Sequence, residues 1–106
     1  MKPEFENIPL VQNEEKARFE IVIDGLYAFV EYEIDEDGLV ALVHTEADPG
    51  LAGKGAAAAV VEKTLLQLEK EGKQILPYCP YVFAYIKKHP EWKRIVHPGF
   101  PAFHQL

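Results

Sequence analysis

The stretch LVALVHTEADPGLAGKGAAAAVVEKTLLQLEKEGKQIL, residues 39–76, decides the fold. Its first part, Leu39 to Thr45, is nearly all apolar and reads as an interior strand. Asp48-Pro49-Gly50 breaks that strand. From Gly53 to Glu71 helix formers run without interruption. Val60, Val61, Thr64, Leu65 and Leu68 recur at helical spacing, and Glu62, Lys63, Lys70 and Glu71 decorate the other side. Gly72 is placed to end this helix, because glycine enters the left-handed region without steric cost. Gln74 to Leu76 is a short apolar strand that Pro77 stops. Strand, helix and strand in one sheet make a right-handed parallel crossover.

Toward the N-terminus the pattern is antiparallel. Ala17 to Ile23 alternates, with Phe19, Ile21 and Ile23 on one face and Arg18, Glu20 and Val22 on the other, which predicts a half-buried strand. Asp24-Gly25 follows, the pair favoured where both central residues of a type I′ turn need positive φ. Leu26 to Ile34 is an aromatic-rich second strand, and Asp35 to Gly38 turns the chain again. Leu10 to Gln12 is a short edge strand with Asn13 to Glu15 as its turn, and the first ten residues read as a loose lead-in. Toward the C-terminus, Cys79 is an N-cap and Pro80 sits at the first helical position, where its missing N–H costs nothing. Val82, Tyr85 and Ile86 form the buried stripe of this second helix, and Pro90 stops it. Glu91 to Val96 reads as one more helical turn, and HPGFPAFHQL as a draped tail. The class is α+β: an antiparallel meander, then a strand–helix–strand crossover, with two main helices on one mixed sheet.

Composition sets the outer bounds. The chain has 106 residues, 48% hydrophobic and 26% charged, which fits one domain over residues 1–106 with a single core. A net charge of −6 without a Lys/Arg run argues against nucleic acid as a partner. The single cysteine excludes an internal disulfide and suits a reducing compartment. MKPEFENIPL lacks the apolar core of a secretory signal, and no run approaches the ~18 apolar residues of a membrane span. The expectation is a cytoplasmic protein, free of membrane, as a monomer or weak homodimer. No spacing of His and Cys suggests a metal site.

The loop GLAGKGAAAA, Gly50 to Ala59, carries the first chemical signal. Gly53 and Gly55 allow a sharp turn and close approach of a ligand. The free N–H groups of the helix's first turn, with the helix dipole, favour phosphate oxygens. Lys54 adds a mobile charge, and Ala56 to Ala59 keep the helix slim. It is not a Walker A loop, since Gly55 follows Lys54 where Ser or Thr is required. A flexible strand–helix turn is the plain alternative.

Strand, then x-x-G-x-G-A, then an amphipathic helix resembles the pyrophosphate motif of the GNAT acetyltransferase superfamily, usually Q/R-x-x-G-x-G/A. Here Gly50 holds the first position. The strand end HTEAD (His44 to Asp48), the segment LPYCPYV (Leu76 to Val82) and AYIKKHPEW (Ala84 to Trp92) extend the likeness to the very small members of that superfamily. Ala47 and Tyr81 depart mildly from their usual Val and Phe, and the likeness spans Phe19 to Val96. The resemblance implies acetyl-CoA as cosubstrate, with no metal. Its pantetheine arm would lie where the two parallel strands splay, bonded to backbone groups of Thr45, Glu46 and Ala47. Gly53, Lys54, Gly55, Ala56 and Ala57 would hold the pyrophosphate. Lys87 and Lys88 are candidates for the ribose phosphate, or a solvated helix face.

Acetyl transfer to an amine needs a base for the ammonium proton and an acid for the leaving thiolate. Cys79 stands at a helix N-terminus, a place that favours a thiolate; it is a candidate acid or nucleophile, or an inert buried thiol. His44 ends the interior strand and shares a face with Leu42 if strict alternation holds; it is a candidate base, or a packed histidine. Tyr85 corresponds to the tyrosine of a Y-x-K-x-G-F segment that protonates the thiolate in larger relatives, or is a core aromatic. Glu46 could orient His44 or remain solvated. The expectation is an N-acetyltransferase acting on a primary amine of unread identity. The rival is a non-catalytic acyl-CoA sensor or adaptor. A Cys/His hydrolase or thiol-redox protein is disfavoured by one cysteine, no CxxC and no nucleophile elbow.

Overall fold

A computed structural model describes residues 1–106. The chain forms α1 (Pro3–Glu6), β1 (Val11–Asn13), β2 (Arg18–Ile23), β3 (Leu26–Ile34), β4 (Val40–Ala47), α2 (Ala56–Lys70), β5 (Ile75–Pro77) and α3 (Pro80–Lys88), with short 3₁₀ turns at Pro49–Leu51, Pro90–Ile95 and Phe103–Gln105. The five strands lie in sequence order in one sheet. β1 to β4 are antiparallel neighbours, and β4 and β5 are parallel, pairing Val40 with Ile75 and Leu42 with Pro77. The mixed α+β sheet expected from residues 39–76 is the one observed.

Local chemistry explains the element ends. Asp24 and Gly25 both have positive φ (52° and 78°), as the tight β2–β3 hairpin requires. Asp35 accepts the N–H groups of Asp37 and Leu39 through its carboxylate, which closes the β3–β4 turn. At the end of α2, Gly72 takes φ 71° while the Lys73 N–H donates to Leu68 and the Gly72 N–H to Glu69. This is a Schellman closure that satisfies the last carbonyls. Cys79 caps α3 in extended geometry with Pro80 at the first helical position.

Phe19, Ile21, Ala28, Val30, Leu42, Val60, Val61, Leu65 and Leu68 form the centre of the core between the sheet and α2. Thr64, also buried, returns its hydroxyl to the Val60 carbonyl, so no polar atom is left unpaired there. Three sequence expectations are corrected. The first ten residues are not a loose lead-in: Phe5 of α1 is buried in the core and anchors them. Ala17 is not strand; it turns at φ 51° before β2 begins at Arg18. Glu20, placed on the open side of β2 by alternation, is buried, held by Arg18 at 2.9 Å and Asn13 at 3.1 Å. Burial raises its carboxyl pKa, and those hydrogen bonds with the Arg18 charge outweigh it, so the net shift is downward. After α3 the tail returns to the sheet, where Val96 bridges Ile75 in parallel.

Candidate active site

One residue in β4 organises the site. Register with β3 runs one to one except where Glu31 faces His44 while Tyr32 faces Leu42. Val43 is therefore the extra residue of a β-bulge, and the alternation of side chains restarts after it. Leu42 lies on the helix-covered face opposite buried Tyr32, and Thr45 returns to that face opposite buried Val30. His44 and Glu46 fall on the other, open face, opposite Glu31 and Phe29, with half or more of each side chain exposed. The expectation that His44 shares the face of Leu42 is thus corrected: it assumed two-residue periodicity through a segment that carries an extra residue.

Thr45 takes the place expected for His44. Its Oγ1 lies 3.4 Å from Cys79 Sγ. Cys79 is buried, and its N–H donates to the Leu42 carbonyl at 2.8 Å. That bond is the last link between the parallel strands, since β5 ends at Pro77 while β4 continues to Ala47. Beyond it the chains diverge and leave an open edge on β4. The Asp48 N–H bonds the Tyr27 carbonyl across β3, so by ladder alternation Glu46 and His44 also direct their peptide groups toward β3. The peptide groups of Thr45 and Ala47 point into the gap. Of the three residues expected to offer backbone groups there, Glu46 does not.

The gap leads to the glycine loop. Gly53 and Gly55 have φ 75° and 85°, and Gly55 is the N-cap of α2. No side chain caps this end, and the N–H groups of Ala56, Ala57 and Ala58 find no partner within the chain. A Cβ on Gly53 would meet open space. A Cβ on Gly50 would come within 2.6 Å of Leu26 Cδ1, so a glutamine or arginine there requires Leu26 to move. Lys2 supplies a cation from elsewhere: its Cε and Nζ lie 3.4 and 3.7 Å from where a Cβ on Gly55 would stand. Lys54 is exposed on the same loop. Nothing in the sequence pattern marks Lys2, because only the burial of Phe5 brings it there.

Between α2 and α3 runs a groove with Ala58 at its floor and Tyr81, Ala84, Tyr85, Lys88 and His89 along its wall. Lys88 faces this groove; Lys87 does not line it. Tyr85 donates to Glu62 at 3.2 Å and packs against His89, with ring centroids 4.4 Å apart. Burial, then the Glu62 carboxylate, pushes the Tyr85 phenol well above its ordinary value. Six residues along α3, Tyr85 stands about 9 Å from Cys79 along the axis. The structure does not bring it to the Thr45–Cys79 centre. No three His, Cys, Asp or Glu side chains gather to hold a metal ion. No helix is long and apolar enough to cross a membrane.

The strand that splays from its parallel partner, the uncapped glycine loop and the helix that follows occur in direct succession along the chain. A model of the GCN5-related N-acetyltransferase family matches residues 18–95. The chain belongs to that family. In this GCN5-related N-acetyltransferase the match begins at β2 and ends at the turn after α3, so it contains the bulge, the gap, the loop and Cys79. No curated protein matches the chain.

Proposed function

We propose that the protein moves the acetyl group of acetyl-CoA to a primary amine. The observation that carries this reading is the Thr45–Cys79 contact at the apex of the β4–β5 splay, on the strand that leads into the loop with the free N–H groups of Ala56 to Ala58. Acetyl-CoA, when bound, supplies the activated acyl carbon. The chain's residues then have separable tasks. Ala56 and Ala57 N–H groups, Lys2 and Lys54 meet phosphate charge at the positive end of α2. Thr45 and Ala47 peptide groups pair with an amide-bearing arm as a neighbouring strand would. The Cys79 thiol, linked to the Thr45 hydroxyl, passes a proton to the departing sulfur as the C–S bond breaks. His44, on the open face, takes a proton from the acceptor's ammonium, which frees the amine lone pair that forms the C–N bond.

The test has two arms. Calorimetry should detect CoA binding to the purified protein; none would end the proposal. Labelled acetyl-CoA with a panel of amines should give turnover that Cys79→Ala and His44→Ala each lower by ~10²–10⁴, the scale of acid–base catalysis. CoA binding without turnover, unchanged by either substitution, would instead make the protein an acyl-CoA sensor.

A further inference from the structure

The open face of the sheet holds a hollow that none of these tasks uses. It measures about 320 Å³ and is lined by Tyr27 and Phe29 of β3 and by Glu46, Ala47, Asp48 and Pro49 at the end of β4. Tyr27 stands opposite Asp48 and Phe29 opposite Glu46, so four side chains form a two-by-two array on this face. The hollow continues the row in which His44 stands.

Its walls have the chemistry of an organic-cation site. Arg18 shows how the rings behave: its guanidinium carbon lies 4.1 Å from the Phe29 centroid and 5.5 Å from that of Tyr27. Ring faces attract cations through their quadrupole. Arg18 approaches from the β2 side and is neutralised by Glu20 at 2.9 Å, so it leaves no net positive charge on the face. The β4 side of the rings is where the hollow lies. Asp48 spends its carboxylate on the Gly50 N–H. Glu46 has no lysine or arginine partner, and the His44 imidazole lies 4.0 Å from its carboxylate. A group seated here would meet one available carboxylate and two ring surfaces, which suits an alkylammonium and offers too few oxygens for a hard metal ion.

The strand also sets a spacing. At the backbone Glu46 is two residues beyond His44, about 7 Å along an antiparallel strand, and its exposed carboxylate, now turned back to 4.0 Å from the His44 imidazole, reaches that separation by swinging toward the rings of the hollow. Four to five methylenes between two nitrogens span about the same distance at ~1.25 Å per bond. We propose that the hollow holds the second ammonium of the acceptor, so that the preferred acceptors are linear alkyl diamines or longer polyamines with their reacting end at His44. This inference rests on the acetyl-transfer reading and names its substrate class.

The experiment compares n-butylamine, 1,2-diaminoethane and 1,4-diaminobutane as acceptors for the full chain, with CoA binding measured on the same samples. 1,4-Diaminobutane is expected to exceed n-butylamine at least tenfold in kcat/KM, mainly through KM, and 1,2-diaminoethane to lack that advantage. Glu46→Gln and Phe29→Leu should each bring the diamine-to-monoamine ratio to within about threefold of one. Turnover of n-butylamine with a ratio near one in the unaltered protein overturns the inference and leaves acetyl transfer standing. If no amine is turned over, NMR titration of the protein with 1,4-diaminobutane decides. Shifts confined to the Tyr27 and Phe29 rings and abolished by Glu46→Gln support the hollow, and their absence overturns it.

Discussion

The two faces of β4 differ in what they present, and one residue makes the difference. On the face covered by α2 and α3, Leu42 and Thr45 meet Cys79 beside the gap, next to a loop of free N–H groups. On the open face, His44 and Glu46 stand beside Phe29 and Tyr27. Were Val43 paired regularly with Glu31 instead of bulging, strict alternation would turn His44 inward opposite Val30 and Thr45 outward opposite Phe29. On the proposed reading, the bulge lets one strand present Thr45 to the donor on one side and His44 to the acceptor on the other.

Deleting Val43 should have the largest effect. The deletion should close the ladder into regular pairing, leave His44 opposite Glu31 and Thr45 opposite Val30 on the faces they now hold, remove the local bend and twist that turn β4 away from β5, and cost ~30-fold or more in CoA affinity by calorimetry. Retained affinity would mean that the bulge does not position the gap. Next in size is Gly55→Val. A β-branched residue at φ 85° is strained, and its side chain would press on Lys2, so CoA affinity should fall by roughly tenfold with little change in diamine preference. Lys2→Ala should weaken CoA binding by about threefold, an exposed-charge effect that 0.5 M salt abolishes.

Smaller effects sharpen the same division. Tyr85→Phe removes the bond to Glu62 but no group at the Thr45–Cys79 centre, so kcat should change by less than about threefold. A hundredfold loss would return Tyr85 to the chemistry. Last, Glu20 tests the open face's one buried ion pair. Its carboxyl is held below the ordinary value, so it stabilises the fold above the ordinary carboxylate range. That contribution, about 1 kcal/mol or less, should disappear as pH falls through the lowered folded value. Urea melts from pH 6 to pH 3 should therefore fall less steeply for Glu20→Gln than for the unaltered protein.

Much of this was legible in the residues. The strand–helix–strand core of residues 39–76 follows from apolar periodicity, Asp24-Gly25 and Gly72 mark ends that require positive φ, and Pro80 behind Cys79 marks the start of α3. What escaped depends on tertiary placement. A bulge leaves no local trace when both flanking residues tolerate either face, as Val43 and His44 do. Lys2 reaches the loop only because Phe5, three positions on, is drawn into the core. Glu20 reads as a solvent-facing residue until Arg18 and Asn13 fold over it. The hollow needs side chains from β3 and from the end of β4, which pattern reasoning on either strand alone cannot join.

The proposed donor site is the gap on the helix side of β4 and the first turn of α2. Following the backbone amides during a CoA titration by NMR tests it most directly. The N–H signals of Thr45, Ala47, Ala56 and Ala57 should shift together and saturate, while those of His44 and Glu46, tied to β3, and the rings of Tyr27 and Phe29 stay nearly still. Saturable shifts centred on Tyr27, Phe29 and Glu46, with Ala56 and Ala57 unmoved, would contradict it.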